Sequence, residues 1–597
     1  MRKYENLKFI HENTLPPRAY YIPYESLEKA LEGKRENSDR FMLLNGIWDF
    51  KYYSRDIDCP DAIEEWGSID VPSNWQTRGI EKPYYTNVNY PYPVDPPYVP
   101  DDNPVGVYRR KIEIDEKTSK LENYLIFEGV APCLEVYING EYAGFSTVSH
   151  CISEFKVKLK KGTNEILVKV YKWCMGSYLE DQDFFRHSGI FRDVYILSRP
   201  KNHLFDIAIG FDDKNIYYEG NYKVYDADMN ETNLENPILW NAEKPYLYTV
   251  IVEDNGEFIP FKIGLRRQEI SKKGEFLING VSVKLKGVNR HDTHPENGYV
   301  MTYEEMKDEL FKMKELNINC IRTSHYPPQP LFMELCDELG FYVIDEADIE
   351  THGFATRRSS KKTYDLDPLW PCQNPEWKEA FLDRGERLFQ RDKNHTCVIM
   401  WSLGNEANYG ENFDAMSAMI KEKDKAIPGV VRLIHYENAY NHVSKIPSAV
   451  SPDHEAVDIM SRMYRTPGQM IDYIESTNDP RPVFYCEYSH QKGPGSGEMH
   501  HHWRAIEKYP SFIGGCIWEW ADHVALDEQG RKCYGGDFGE ETHDTDGCCD
   551  GLVFSDRSFN AGSYEAKYAY QPLKTEYEDG ILYITNKYDF PCLSECN

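Results

Sequence analysis

Through much of the first 200 residues, apolar and polar positions alternate with a period of two, the pattern of strands with one buried face. In LEVYING, Leu134, Val136 and Ile138 alternate with more polar neighbours, and the run ends in Asn139-Gly140, a strong signal for a tight hairpin. Tyr and Pro crowd together between Tyr84 and Pro100, which predicts a loop draped over another part of the protein. Residues 201–265 are strand-like again, as in YLYTVIVED. About 65 residues is short for a β-sandwich, which ordinarily takes about 100. A second hairpin signal, Asn279-Gly280, follows in FLINGVSVKLKGV.

From about residue 283 to 525 short apolar runs alternate with amphipathic stretches. The strand candidates are VKLKGVNRH, INCIRTSHY, YVIDEADIETH, CVIMWSLGNE, VRLIHYEN, DIMSRMY, PVFYCEYSH and FIGGCIWEW. One intervening helix is predicted to start at Thr302, with Glu305 completing a capping box and Met306, Leu310, Met313 and Leu316 on one face. Eight such repeats over about 240 residues predict a (β/α)8 TIM barrel.

Composition narrows the possible partners. The 597 residues hold 68 Lys+Arg against 98 Asp+Glu, a net charge of −30, which repels nucleic acid and anionic lipid. No uncharged apolar run approaches the roughly 20 residues of a membrane span. The 15 cysteines are odd in number and scattered, with no CxxC; only Cys548 and Cys549 are adjacent. Reduced thiols fit that usage. The opening MRKYENLKFIHENTLPPRAYY has no apolar signal core, so a cytoplasmic protein is expected.

In a barrel of this kind the reacting groups sit at the C-terminal ends of the strands, and polar residues gather there. Asn289, Arg290, His291 and His294 follow the first strand and His325 the second; Glu350 and His352 follow the third, and Asn405 and Glu406 the fourth. Tyr464 follows the sixth, Glu487 and His490 the seventh, and Trp518 the eighth. Any one of these could be ordinary strand-end polarity; the full ring points to chemistry. Glu406 and Glu487 each follow an apolar run and so enter the barrel mouth, and retaining glycoside hydrolysis needs two carboxyls about 5–5.5 Å apart. Glu350 and His352 are two apart and face the same side. With Glu406 they could hold a hard divalent cation such as Mg2+.

The segments VPSNWQ, YTNVNYP, PPYVPDDNPVG, SYLEDQD, HSGIFRDV, GVNRHDTHP, RTSHYP, DEADIETHG, WSLGNEA, FYCEYSH, GGDFG and GLVFSDRS resemble those of bacterial β-galactosidases of glycoside hydrolase family two, over nearly the whole chain. The resemblance implies an N-terminal jelly-roll sugar-binding domain (1–200), a shortened immunoglobulin-like β-sandwich (201–270), the catalytic (β/α)8 barrel (271–565) and the incomplete start of a further β domain (566–597). It implies that Glu406 is the acid/base, that Glu487 is the nucleophile, and that Glu350, His352 and Glu406 bind Mg2+. It also implies that Asn87 and Asp183 reach in from the first domain, and that His294, His325, Asn405, Tyr464, His490 and Trp518 line the galactosyl subsite, with Trp518 stacked on the sugar.

Three departures accompany the resemblance. A family sodium site would use Asp183 and the segment before GLVF, where this chain has Gly547 and Asp550; the extra negative charge bears on Na+ occupancy and ion choice. The 201–265 segment is short for its domain. The sequence ends at Asn597, just after the strands of a next β domain begin, which implies a homo-oligomer, a separate small subunit or an incomplete chain. The expected function is retaining hydrolysis of terminal β-D-galactose from lactose-like β-galactosides. The alternatives are a related glycosidase such as a β-glucuronidase, for which the motifs offer no cationic clamp, or an inactive carbohydrate-binding fragment.

Overall fold

The computed structural model of the chain describes residues 2–356, 370–439 and 456–595. Two antiparallel sheets face each other in the first 200 residues. The larger runs in the order 11–12, 141–146, 133–138, 162–171, 105–114, 46–53 and 67–71; the smaller in the order 153–157, 122–127, 194–199 and 41–43. Leu134, Val136 and Ile138 all point into the core between them, beside Trp48, Trp75 and Phe127. Asn139 (φ 52°) and Gly140 (φ 83°) make the predicted turn, both in the left-handed region that a two-residue hairpin needs. The Tyr/Pro loop drapes as expected: Tyr90 donates to the Tyr178 carbonyl at 2.8 Å and its ring lies 5.6 Å from Phe354.

The middle segment forms one three-stranded sheet, Tyr222–Tyr225, Tyr248–Asp254 and Glu257–Ile263, with a short two-stranded ladder beside it. Its two faces are covered by neighbours rather than by a second sheet of its own. Val250, Val252, Ile259 and Phe261 join the barrel core, while Tyr225 and Ile251 pack with Tyr124, Ile126 and Tyr195 of the first domain. Trp240, fully buried, donates its indole N–H to the Asp337 carbonyl at 2.9 Å and rivets this segment to the barrel.

The barrel holds all eight predicted strands: β1 (Leu285–Arg290), β2 (Cys320–Thr323), β3 (Tyr342–Glu346), β4 (Val398–Ser402), β5 (Leu433–His435), β6 (Met460–Met463), β7 (Val483–Tyr488) and β8 (Phe512–Ile517). They are parallel in the order β5-β4-β3-β2-β1-β8-β7-β6. Between β5 and β6 the ring is joined through Asp458, whose backbone N–H donates to the Ile434 carbonyl at 2.9 Å and whose carboxylate accepts from the Ile434 N–H at 2.8 Å. Helix α1 (Tyr303–Glu315) starts at Thr302 with both bonds of the predicted capping box, and Met306, Leu310, Met313 and Leu316 are buried. Helix α2 (Ala561–Ala569) runs across the expected limit at 565, and Tyr570 beyond it donates to the Gly287 carbonyl of β1 at 2.9 Å.

The last described strands, Leu573–Glu578 and Ile581–Asn586, pair only with each other and lie almost wholly exposed. Among the described residues no helix is long and apolar enough to cross a membrane.

Candidate active site

A main-chain splice brings the first domain to the barrel mouth. After β3 the chain stays extended, and the Glu350 N–H donates to the Leu179 carbonyl at 2.7 Å while the Asp181 N–H donates to the Glu350 carbonyl at 3.2 Å. Side chains lock the seam: the Gly353 N–H reaches the Asp181 carboxylate at 2.7 Å, and Gln182 donates to Asp348 at 2.9 Å. Asp183, next along, thereby sits at the site. Its two oxygens accept from Tyr85 O–H at 2.5 Å and Asn87 Nδ2 at 2.8 Å, so both expected first-domain residues arrive together. Burial pushes the Asp183 carboxyl up to about 7.

Glu487 lies at the end of β7, 3% exposed. Oε1 accepts from Arg322 Nη1 at 2.8 Å and Oε2 from Tyr464 O–H at 2.7 Å. Burial pushes this carboxyl up to about 7 against the pull of Arg322, and the charge of Glu406 adds to the rise. Arg322 also donates to both oxygens of Glu346, at 2.6 and 3.1 Å, to Asn289 Oδ1 at 3.0 Å and to Asn405 Oδ1 at 2.9 Å. Neither Arg322 nor Glu346 was singled out in the sequence. The available signal was a charged residue in the middle of the short apolar strand β2.

Glu406 differs from Glu487 in its surroundings. Its side chain is 31% exposed, and Oε2 lies 2.8 Å from His352 Nδ1. Burial opposes its ionisation, but the His352 imidazolium outweighs that and holds the carboxyl below its usual range. His352 responds in kind: burial works against its charge, yet the Glu406 carboxylate lifts it to about 9. Glu406 (φ 31°) and Tyr464 (φ 50°) both occupy the left-handed region without being glycine. Such strain costs on the order of 1–3 kcal/mol each and gathers at functional sites.

Glu350, His352 and Glu406 bring ligand atoms within 4.8 Å of one another. Glu350 is fully buried and, among the described residues, neither of its oxygens has a hydrogen-bond partner of good geometry; burial first, and the Glu406 charge second, push its carboxyl well above the normal range. An orphaned buried carboxylate beside a second carboxylate and an imidazole is what a hard cation would satisfy, so the residues present fit Mg2+.

The remaining expected residues divide. His325 Nδ1 is held by Glu346 at 2.6 Å, its Nε2 lies 3.8 Å from Glu487 Oε1, and its ring stacks on Trp518 at 5.1 Å. One face of the Trp518 indole is thus already covered. Trp518 donates to Asp550 Oδ2 at 2.8 Å, and His490 Nε2 lies 3.3 Å from the same oxygen. Asp550 is fully buried, its Oδ1 without a hydrogen-bond partner among the described residues, and Gly547 packs against Tyr85, so the segment before GLVF does reach Asp183's neighbourhood. His294 is the exception and corrects the expectation. Paired backbone bonds between His294 and Gly298 turn the chain outward, and the ring faces Glu305 at 3.3 Å, at the start of α1. His291 takes the inner place instead, 5.4 Å from the His325 ring and 5.6 Å from Trp518. Three residues separate the two histidines, and only the turn at 294–298 distinguishes them.

Comparison with known proteins places the chain in a family. Residues 269–575 match the family described as Glycosyl hydrolases family 2, TIM barrel domain; residues 41–200 match its sugar binding domain, and residues 200–266 match Glycosyl hydrolases family 2. Similar curated proteins include a β-galactosidase of Actinobacillus pleuropneumoniae, 42% identical over 98% of this chain, and one of Staphylococcus xylosus, 38% identical over 98%. The chain spans 62% of the length of each of these two relatives. Among solved structures, a Ruminococcus gnavus β-glucuronidase superposes with a TM-score of 0.71 at 18% identity, covering 89% of this chain and 98% of that one. At that identity the likeness is one of fold.

Proposed function

Because this chain belongs to glycosyl hydrolase family 2, we propose that it is a retaining β-galactosidase that releases terminal β-D-galactose from lactose-like β-galactosides. The observation that carries the reading is the contrast between its two mouth carboxylates. Glu487 is gripped from both sides by Arg322 and Tyr464, which aims one oxygen and stabilises its charge, as a nucleophile requires. Glu406 stands at the open rim, its side chain 31% exposed, where it can meet both the leaving group and water. In the first step Glu406, in its protonated form, gives its proton to the leaving oxygen while Glu487 bonds to the anomeric carbon and the glycosidic bond breaks. In the second, Glu406 takes a proton from water, which displaces Glu487 and frees the sugar.

Glu350, His352 and Glu406 are the residues that would hold Mg2+; bound there, the cation would supply a fixed positive charge beside the acid/base. Asp183 and Asp550, with the Gly547 carbonyl, are the candidates for a sodium site. The odd number and scattered spacing of the 15 cysteines, with no CxxC, support a cytoplasmic setting. The exposed C-terminal hairpin supports an assembly with a second copy or a separate small subunit.

The test is turnover of nitrophenyl glycosides by the purified protein. The β-galactoside should be cleaved with retention of configuration and the β-glucuronide left intact. Cleavage of the glucuronide alone, or of neither, overturns the assignment.

A further inference from the structure

Behind the inner ring of the site lies a buried triad that the steps above do not use. Glu519 directly follows Trp518, and its Oε2 accepts from two imidazoles, His291 Nδ1 at 2.8 Å and His523 Nε2 at 3.1 Å. All three side chains are at most 2% exposed. His291 keeps its other nitrogen, Nε2, buried and without a hydrogen-bond partner among the described residues, in a ring set edge-on to Trp518 and His325. His325 is built on the same plan: Glu346 holds Nδ1 at 2.6 Å, and Nε2 is buried, without a hydrogen-bond partner among the described residues and 3.8 Å from the Glu487 carboxylate. Two imidazoles, each tied by a carboxylate at Nδ1, therefore leave free Nε2 atoms around Trp518.

A buried polar atom without a partner is costly unless something supplies one. Two such atoms on adjacent rings, one of them 3.8 Å from the nucleophile, point to a ligand with hydroxyl groups. A carboxylate at Nδ1 fixes both the tautomer and the angle of an imidazole, because the ionised acceptor requires the proton on the nitrogen facing it. The neutral ring then offers Nε2 as an acceptor. We propose that Glu519 is a positioning residue for glycoside turnover: it sets His291 so that Nε2 accepts a sugar hydroxyl proton, and His523 holds Glu519 in place by occupying the same oxygen. The proposal rests on the glycosidase reading given above.

A double-mutant cycle tests it, run on nitrophenyl β-galactoside with wild type, Glu519→Gln, His291→Ala and the double variant. Glu519→Gln should lower kcat/KM by about tenfold or more, since a neutral amide oxygen is a weaker acceptor than the carboxylate and no longer fixes the two imidazole tautomers. In the His291→Ala background the same change should cost under about twofold. Full additivity would overturn the proposal, because a merely structural glutamate would cost the same in both backgrounds. Should Glu519→Gln fail to fold, His523→Gln carries the same cycle. A crystal structure of whichever variant folds gives a readout that needs no turnover. The His291 ring should leave its wild-type orientation while the backbone of 289–292 stays in place. An unmoved ring sinks the positioning role even if no glycoside is cleaved, whereas a moved ring with no wild-type turnover counts against the glycosidase reading alone.

Discussion

Arg322 Nη1 lies 2.8 Å from Glu487 Oε1, and the same guanidinium grips both oxygens of Glu346 and the side chains of Asn289 and Asn405. One planar fork thus joins residues from β1, β2, β3 and β7 and from the segment after β4. A lysine has no such fork.

The pH dependence follows from that pair. Burial raises the Glu487 carboxyl to about 7, and only its ionised form attacks carbon. Activity should therefore be present above about pH 7 and fall as the pH drops through that value. Arg322 opposes the rise, so removing its charge should raise the carboxyl further. Arg322→Met should shift the acid limb of kcat/KM to higher pH as well as lower the plateau; an unshifted limb would mean that another group governs it.

The unequal settings of the two carboxylates predict unequal losses. Glu487→Gln should abolish nearly all turnover for every leaving group. Glu406→Gln should retain activity on substrates whose leaving group departs without a proton, and azide should accelerate it by attacking the glycosyl-enzyme. Equal, unrescued losses across a series of aryl β-galactosides would contradict the roles.

Much of this was legible in the sequence because period and motif carry it. The eight apolar runs fix the barrel, and strand-end position alone brings Glu406, Glu487, Glu350 and His352 together. What could not be read was lateral packing. Whether His291 or His294 faces inward depends on the 294–298 turn, and the role of Arg322 depends on neighbours 24 to 165 positions away. The middle segment is short for a sandwich that supplies its own second layer; here the first domain covers one face through Tyr195, and the barrel covers the other and accepts the Trp240 indole N–H at the Asp337 carbonyl.

Metal removal should expose the role of the Glu350 cluster. With no cation, His352 carries a proton and pairs with Glu406; a cation must displace that proton to use the imidazole nitrogen. Chelation should lower kcat, Mg2+ should restore it, and Mg2+ affinity measured by calorimetry should strengthen as pH rises toward 9, with proton release on binding. Full activity in protein shown to be metal-free by elemental analysis would remove the cation from the mechanism.

The C-terminal hairpin carries its own prediction. Tyr577 pairs with Leu582 and Thr575 with Ile584 across the two strands, so Tyr577, Leu582 and Ile584 share one face. That face is open, with Tyr577 75% and Leu582 59% exposed. A two-stranded hairpin is at best marginally stable alone, and an apolar face with free strand edges favours association. The protein should gain mass with concentration in light scattering. Leu582→Thr with Ile584→Thr, which keeps strand propensity while removing apolar surface, should leave it monomeric over the same range. Association unchanged by the pair of substitutions would place the contact elsewhere on the molecule.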